Sequence, residues 1–152
     1  MARLSHTILR EVGAIARSVQ SSRDAKYKSL GLQKGQYVFL TRICENPGVG
    51  PNRLAELARV DKTTATKAAQ KLEALGYVRR ALDDGDRRAR LLFPTAKAAR
   101  AYERLIADEN ELLRECLTGI APKDLETATR LLGRMRDNLD RSRAATPREE
   151  LP

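Results

Sequence analysis

The chain has 152 residues, enough for one domain or for one small module with helical extensions. Charged residues make up 32% and hydrophobic residues 41%, a soluble, globular balance with no apolar run long enough to span a bilayer. A net charge of +9 and a pI near 10.0 point to a polyanionic partner, nucleic acid ahead of a membrane surface.

Aromatic residues are only 4% and there is no Trp, which predicts a core of Leu, Ile, Val and Ala in packed helices. Cys44 and Cys116 lie far apart, with no CxxC and no His cluster. They predict neither a metal site, a cofactor site nor a disulfide framework, and both read as core filler rather than redox sensors. Met1-Ala-Arg-Leu-Ser-His leads straight into a charged helical pattern. No signal peptide is expected there, and a cytoplasmic location follows by default.

Residues 4–28 predict the first helix. Leu4, Ile8, Val12, Ile15 and Val19 form one stripe, with His6, Arg10 and Arg17 off it. Leu30-Gly31-Leu32 breaks the pattern. A second helix is expected over 33–45, with Tyr37, Val38, Leu40, Thr41 and Cys44 inward, ended by Asn46-Pro47-Gly48. Val49 fits a very short strand.

Pro51 suits the first position of a third helix, 51–58, with Leu54, Leu57 and Ala58 inward. Arg59-Val60 is the turn, and Asp61 is an N-cap for a fourth helix over 62–75. Ala65, Ala68, Ala69, Leu72 and Leu75 share its inner face; Lys62, Thr63, Thr66, Lys67 and Gln70 share the outer one. Gly76 is the stop. Tyr77–Leu82 and Arg88–Phe93 predict two strands joined by Asp83-Asp84-Gly85-Asp86-Arg87. Pro94 ends the hairpin and Thr95 caps a long helix over 96–118. Its inner side carries Ala98, Tyr102, Leu105, Glu109, Leu112, Cys116 and Leu117. The last helix, 123–141, has a heptad seam of Leu125, Ala128, Leu132, Met135 and Leu139. A disordered tail is expected over 142–152.

This order predicts a mainly α fold with a small β-hairpin, a winged helix-turn-helix over 31–95. Flanking it are an N-terminal dimerisation helix, 1–30, and C-terminal dimerisation helices, 96–141. A helix that enters the major groove needs small or polar outer side chains, and 62–75 has them. Thr63 and Thr66 suit thymine methyls or base-edge acceptors, Gln70 suits adenine, and Thr64 is a DNA-binding candidate beside them. Lys62 and Lys67 can reach phosphate or guanine, and Asn52 a phosphate. At the hairpin tip Arg87, Arg88 and Arg90 can enter a narrow minor groove. A chain this size cannot bury both the first stripe and the 125–139 seam, so a homodimer is expected. The rival is a winged helix used only for protein contacts, which would want an apolar or acidic outer face on 62–75. No nucleophile-base pair, phosphate loop or metal set supports an enzyme.

Leu32-Gln-Lys-Gly-Gln36-Tyr37, Leu54-Ala55-Glu56-Leu57, Asp61-Lys-Thr-Thr-Ala-Thr66-Lys67, Leu72-Glu73-Ala-Leu-Gly76-Tyr77 and Asp86-Arg87-Arg88, in this order and spacing, resemble the MarR (multiple-antibiotic-resistance regulator) family. The resemblance implies a homodimeric transcription regulator, a repressor rather than an activator, on a pseudo-palindromic duplex operator. It places Thr66 and Lys67 at the central recognition positions and Arg88 at the wing. Lys67 stands where the family usually has Arg, which loses the bidentate guanine fork. Ala98 stands where the family often has Gly. The resemblance further implies release by a small aromatic or anionic effector, for which His6, Arg10, Arg17, Tyr27 and Tyr102 are the candidate lining.

Overall fold

Helix α1, Ile8–Tyr27, starts where the His6 imidazole Nδ1 accepts the Ile8 N–H at 3.1 Å. That is four residues later than its apolar stripe predicts. A short 3-10 turn, Lys28–Leu30, follows, and Gly31 at φ 69° reverses the chain. The computed structural model describes residues 4–33, 35–82 and 90–145, in two compact units, 1–112 and 113–152.

Helix α2, Gln36–Glu45, begins three residues later than expected. Gly35 takes a left-handed φ of 77°, which no helix continues through, and the Gln36 Oε1 accepts the Gln33 N–H at 2.8 Å. The helix is buried on more sides than its pattern shows. Phe39 and Ile43 are buried alongside Tyr37, Leu40 and Thr41, whereas Val38 and Cys44 are half-buried. The cause is its place in the fold, packed on α3, α4 and the hairpin.

Helix α3, Pro51–Ala58, has the predicted bounds, and α4, Lys62–Ala74, is one residue short of them. The turn between them puts Arg59 in the left-handed region at φ 56°, where its N–H and that of Val60 return to the Glu56 and Ala55 carbonyls. Strands β1, Val78–Leu82, and β2, Arg90–Pro94, pair antiparallel, with Val78 opposite Pro94 and Leu82 opposite Arg90. Pro94 is thus the last rung rather than the residue after it, a strand position that needs no N–H. Val49 bridges to Leu92 as a single third-strand residue: the Leu92 N–H donates to its carbonyl at 3.0 Å. Gly48 at φ 83° lies so close to the Phe93 ring that a Cβ would sit 3.3 Å from it.

Helix α5, Ala96–Cys116, buries Ala98, Ala101 and Leu105. Cys116, expected as core filler, is exposed in the single chain, because the buried side of α5 ends well before it. Helix α6, Pro122–Ala145, runs past residue 141. Residues 142–145 are therefore helical, not tail: Arg and Ala favour helix and the first Pro comes only at 147. Residues 146–152 lie outside the described ones. Leu125, Leu132 and Leu139 of the seam are exposed.

The core is not purely aliphatic. Leu40, Ile43, Leu54, Ala65, Leu72 and Ala98 are fully buried, but Tyr27, Tyr37, Tyr77 and Phe39 lie in the same cluster. The aromatics are few and concentrated: the Tyr27 and Tyr37 rings are 5.2 Å apart, and the Tyr77 hydroxyl reaches the Leu30 carbonyl at 2.7 Å.

Candidate nucleic-acid interface

Helix α4 is positioned from both ends and from beneath. At its start Asp61 Oδ1 accepts the Thr64 N–H at 2.9 Å, and Oδ2 accepts the Thr64 hydroxyl at 2.7 Å. Those bonds, the hydroxyl's first, hold the Asp61 carboxyl below its ordinary range. A depressed carboxylate contributes stability above its unfolded pKa of about 3.9 and loses it as pH falls through the lower folded value. Asp61→Ala is therefore expected to lower the melting temperature at pH 7. The gap to the parent should close in acid, below the folded pKa of Asp61. A gap that stayed constant from pH 7 to pH 2 would mean that the cap does not act through the ionised carboxylate.

Beneath, Ala65 and Ala69 have almost no side chain to hold α4 away, so it packs directly on α3. Leu72 is fully buried one turn later. The opposite face stays outside: Lys62, Thr63, Lys67 and Gln70 are exposed, and Thr66 is half-buried at the edge. One helix thus brings these five together. Thr64 is exposed too, but its hydroxyl is committed to the Asp61 cap. Lys71, exposed and one turn beyond Lys67, extends the cationic face; the sequence reading missed it, although its i+4 spacing from Lys67 is the signal that could have found it.

Asn52 is exposed in the first turn of α3, beside an Arg53 that pairs with Glu56 at 2.8 Å. Arg90 is exposed at the outer rung of the hairpin. Arg87 and Arg88 fall within 83–89, outside the described residues. Two further arginines stiffen the hairpin's base. The Arg79 guanidinium lies 4.7 Å over the Phe93 ring, and Arg80 Nε lies 2.9 Å from Glu73 Oε2, out of line for a full hydrogen bond.

Of the five effector candidates, Tyr27 is buried, its ring 5.2 Å from that of Tyr37. His6 caps α1, Arg10 and Arg17 are exposed along it, and the Tyr102 hydroxyl donates to Glu45 at 3.4 Å. A tighter polar cluster joins α1, α2 and α5. Arg23 donates to the Tyr37 hydroxyl at 3.0 Å and to Glu109 at 2.8 Å, and Lys26 lies 3.4 Å from Asp108 and 3.3 Å from Glu111. Sequence separations of 82 to 86 residues hid the α1–α5 pairs. An open cleft of about 270 Å³ lies elsewhere, lined by Gly31, Gln33, Gln36, Lys71, Ala74 and Leu75. Burial, with Glu45 adding to it, pushes the Cys44 thiol up to about 11, so it is an unreactive thiol at neutral pH. Among the described residues no His, Cys, Asp and Glu group could hold a metal ion, and no helix is long and apolar enough to cross a membrane.

A capped helix with a small-residue underside and a hydroxyl and amine upper face, followed by a two-stranded wing, defines a winged helix-turn-helix DNA-binding protein. Known proteins agree. A MarR-family profile matches residues 30–89. The uncharacterized HTH-type transcriptional regulator YybA of Bacillus subtilis is 40% identical over 134 residues, 88% of this chain and 89% of YybA. The structure of a MarR protein from Peptoclostridium difficile is 44% identical with a TM-score of 0.86, covering 93% of each chain. That of a MarR-family regulator from Listeria monocytogenes, in complex with a 26mer DNA, is 31% identical with a TM-score of 0.81, covering 91% of this chain and 90% of that one. The chain belongs to the MarR family of transcriptional regulators, a family of regulators and not of enzymes.

Proposed function

We propose that this chain is a homodimeric repressor that reads a pseudo-palindromic duplex operator, with α4 as the helix in the major groove. The observation that carries this reading is the outer face of α4. Lys62, Thr63, Thr66, Lys67 and Gln70 stand exposed on a helix held firmly from below. Asn52 contacts phosphate, Thr64 orients the first turn through its cap, and Arg87, Arg88 and Arg90 enter the minor groove. The Listeria relative, 31% identical and complexed with DNA, supports the same use of the fold.

Exposed apolar surface supports the dimer. Leu4, Leu9 and Ile15 at the N-terminal end, and Leu131, Leu132 and Leu139 on α6, are all 45% or more exposed in one chain. A second copy is the partner that covers such faces and also doubles the reading head. The two copies of α4 would then read half-sites about 10 base pairs apart. A small aromatic or anionic effector releases the DNA, with His6, Arg10, Arg17 and Tyr102 as its lining; the exposed cations Arg10 and Arg17 support an anionic ligand. A regulator of this kind works in the cytoplasm, where its DNA is.

Sedimentation together with footprinting on the chain's own promoter region tests this. The expected particle has twice the 17.0 kDa chain mass and protects two half-sites related by a dyad. Protection is expected to weaken when an aromatic carboxylate is added, and transcription to rise with it. A monomer, or a footprint without a dyad, overturns the reading.

A further inference from the structure

The far end of α4 carries a second clasp that the interface above does not use. Leu75 ends the helix and Gly76, at φ 75°, turns the chain out of it. The Gly76 N–H returns to Glu73 and the Tyr77 N–H to Leu72, both at 2.9 Å. Thr95, just before α5, and Lys97, in its first turn, take the carbonyls of Leu75, Gly76 and Tyr77. Lys97 Nζ donates to the Leu75 carbonyl at 2.7 Å, the Thr95 hydroxyl donates to that of Gly76 at 2.8 Å, and the Thr95 N–H donates to that of Tyr77 at 3.0 Å. Lys97 Nζ also sits 4.4 Å from the centroid of the buried Tyr77 ring.

Lys97 thus brings a positive charge to the negative end of the α4 dipole. Its ammonium is held by a backbone carbonyl and a ring face of its own chain. We propose that Lys97 is a positioning residue for DNA recognition. It pins the C-terminal end of α4 to the start of α5 and so sets the tilt at which the Lys62–Gln70 face meets the groove. The proposal rests on the DNA reading above. The lever is long: thirteen residues of helix span about 20 Å. A tilt of about 5° at the pinned end moves the other end by nearly 2 Å by this length (~20 Å), several times the tolerance of about 0.5 Å for a positioned contact.

The test compares parent, Lys97→Met and Lys97→Arg, each full-length and well below its melting temperature. Each is titrated with operator duplex and with random duplex over a range of salt. Met keeps the stem over Tyr77 and loses the donor; Arg keeps the charge and the ring contact. The expected result is a loss of operator affinity of about tenfold in Lys97→Met, the size of one charge-assisted bond. Random-duplex affinity and the slope of log affinity against log salt should not change. Lys97→Arg should recover to within about threefold of the parent.

Three results overturn the proposal while leaving DNA binding intact. The first is a Lys97→Met variant that binds operator as the parent does. The second is a salt slope shallower by about one with equal losses on both duplexes, which would make Lys97 a phosphate contact. The third is a smaller active fraction whose remaining molecules bind with parental affinity, which is a folding role alone. If the parent itself prefers no duplex over random DNA, the DNA reading has failed, and that is visible before any variant is made.

Discussion

Lys67→Glu is expected to lower operator affinity by about a hundredfold or more at moderate salt, with the fold unchanged. Lys67 is exposed on the outer face of α4, and no described residue pairs with it. Reversing its charge therefore removes no internal contact, and its effect on stability should stay within about 0.5 kcal/mol. In the complex the same change removes an attraction to the polyanion and adds a repulsion. A single lost base or phosphate contact costs about 1–3 kcal/mol, and the repulsion adds to it, which together exceed about two factors of ten. The salt slope should also become shallower by about one or more. Fluorescence anisotropy with a labelled operator at several salt concentrations reads both quantities. Unchanged affinity in Lys67→Glu would remove α4's outer face from the contact surface.

Leu72→Ala should behave in the opposite way, by disturbing the fold before the surface. Leu72 is fully buried under α4, in the cluster that joins α2, α3 and α4. Truncation there leaves a cavity the neighbours only partly fill, at a cost of about 3 kcal/mol. For a chain of this length that is roughly a 10 °C drop in melting temperature. Thermal unfolding by circular dichroism, with far-ultraviolet signal before the transition as a control, measures it. A drop below about 2 °C would mean that the site collapses without a cavity, contrary to its close packing. The two substitutions lie five residues apart on one helix, so the contrast tests its two faces separately.

Much of the fold was legible because local chemistry and global packing agree along the central stretch. Pro51 starts α3, Asp61 caps α4, Gly76 ends it, and the alternating apolar residues of the hairpin all act within a few residues of where they stand. The alanine underside of α4 was legible for the same reason: small residues at helical spacing have one compact use. The starts of α1 and α2 were not, because a His6 side chain and a left-handed Gly35 override the apolar periodicity. Nor was the full burial of Phe39 and Ile43, since a helix enclosed by several neighbours has no single inner face. The cation-rich outer face was readable as a site, but the commitment of the Thr64 hydroxyl to the cap depended on a rotamer.

By itself the amino-acid order determined the succession of elements, the helix-turn-helix and its wing, and which residues of α4 are small enough to go under it. Those properties follow from propensity, capping and periodicity, which act over one or two turns of chain. Only the tertiary structure decided which distant groups meet: Arg23 with Glu109, Tyr77 with the Leu30 carbonyl, Lys97 with the end of α4. It also decided that four of the six aromatic side chains gather in one core and that Cys116 is exposed. Such contacts join residues up to 86 positions apart, and their partners are selected by the packing of whole helices rather than by any spacing in the chain.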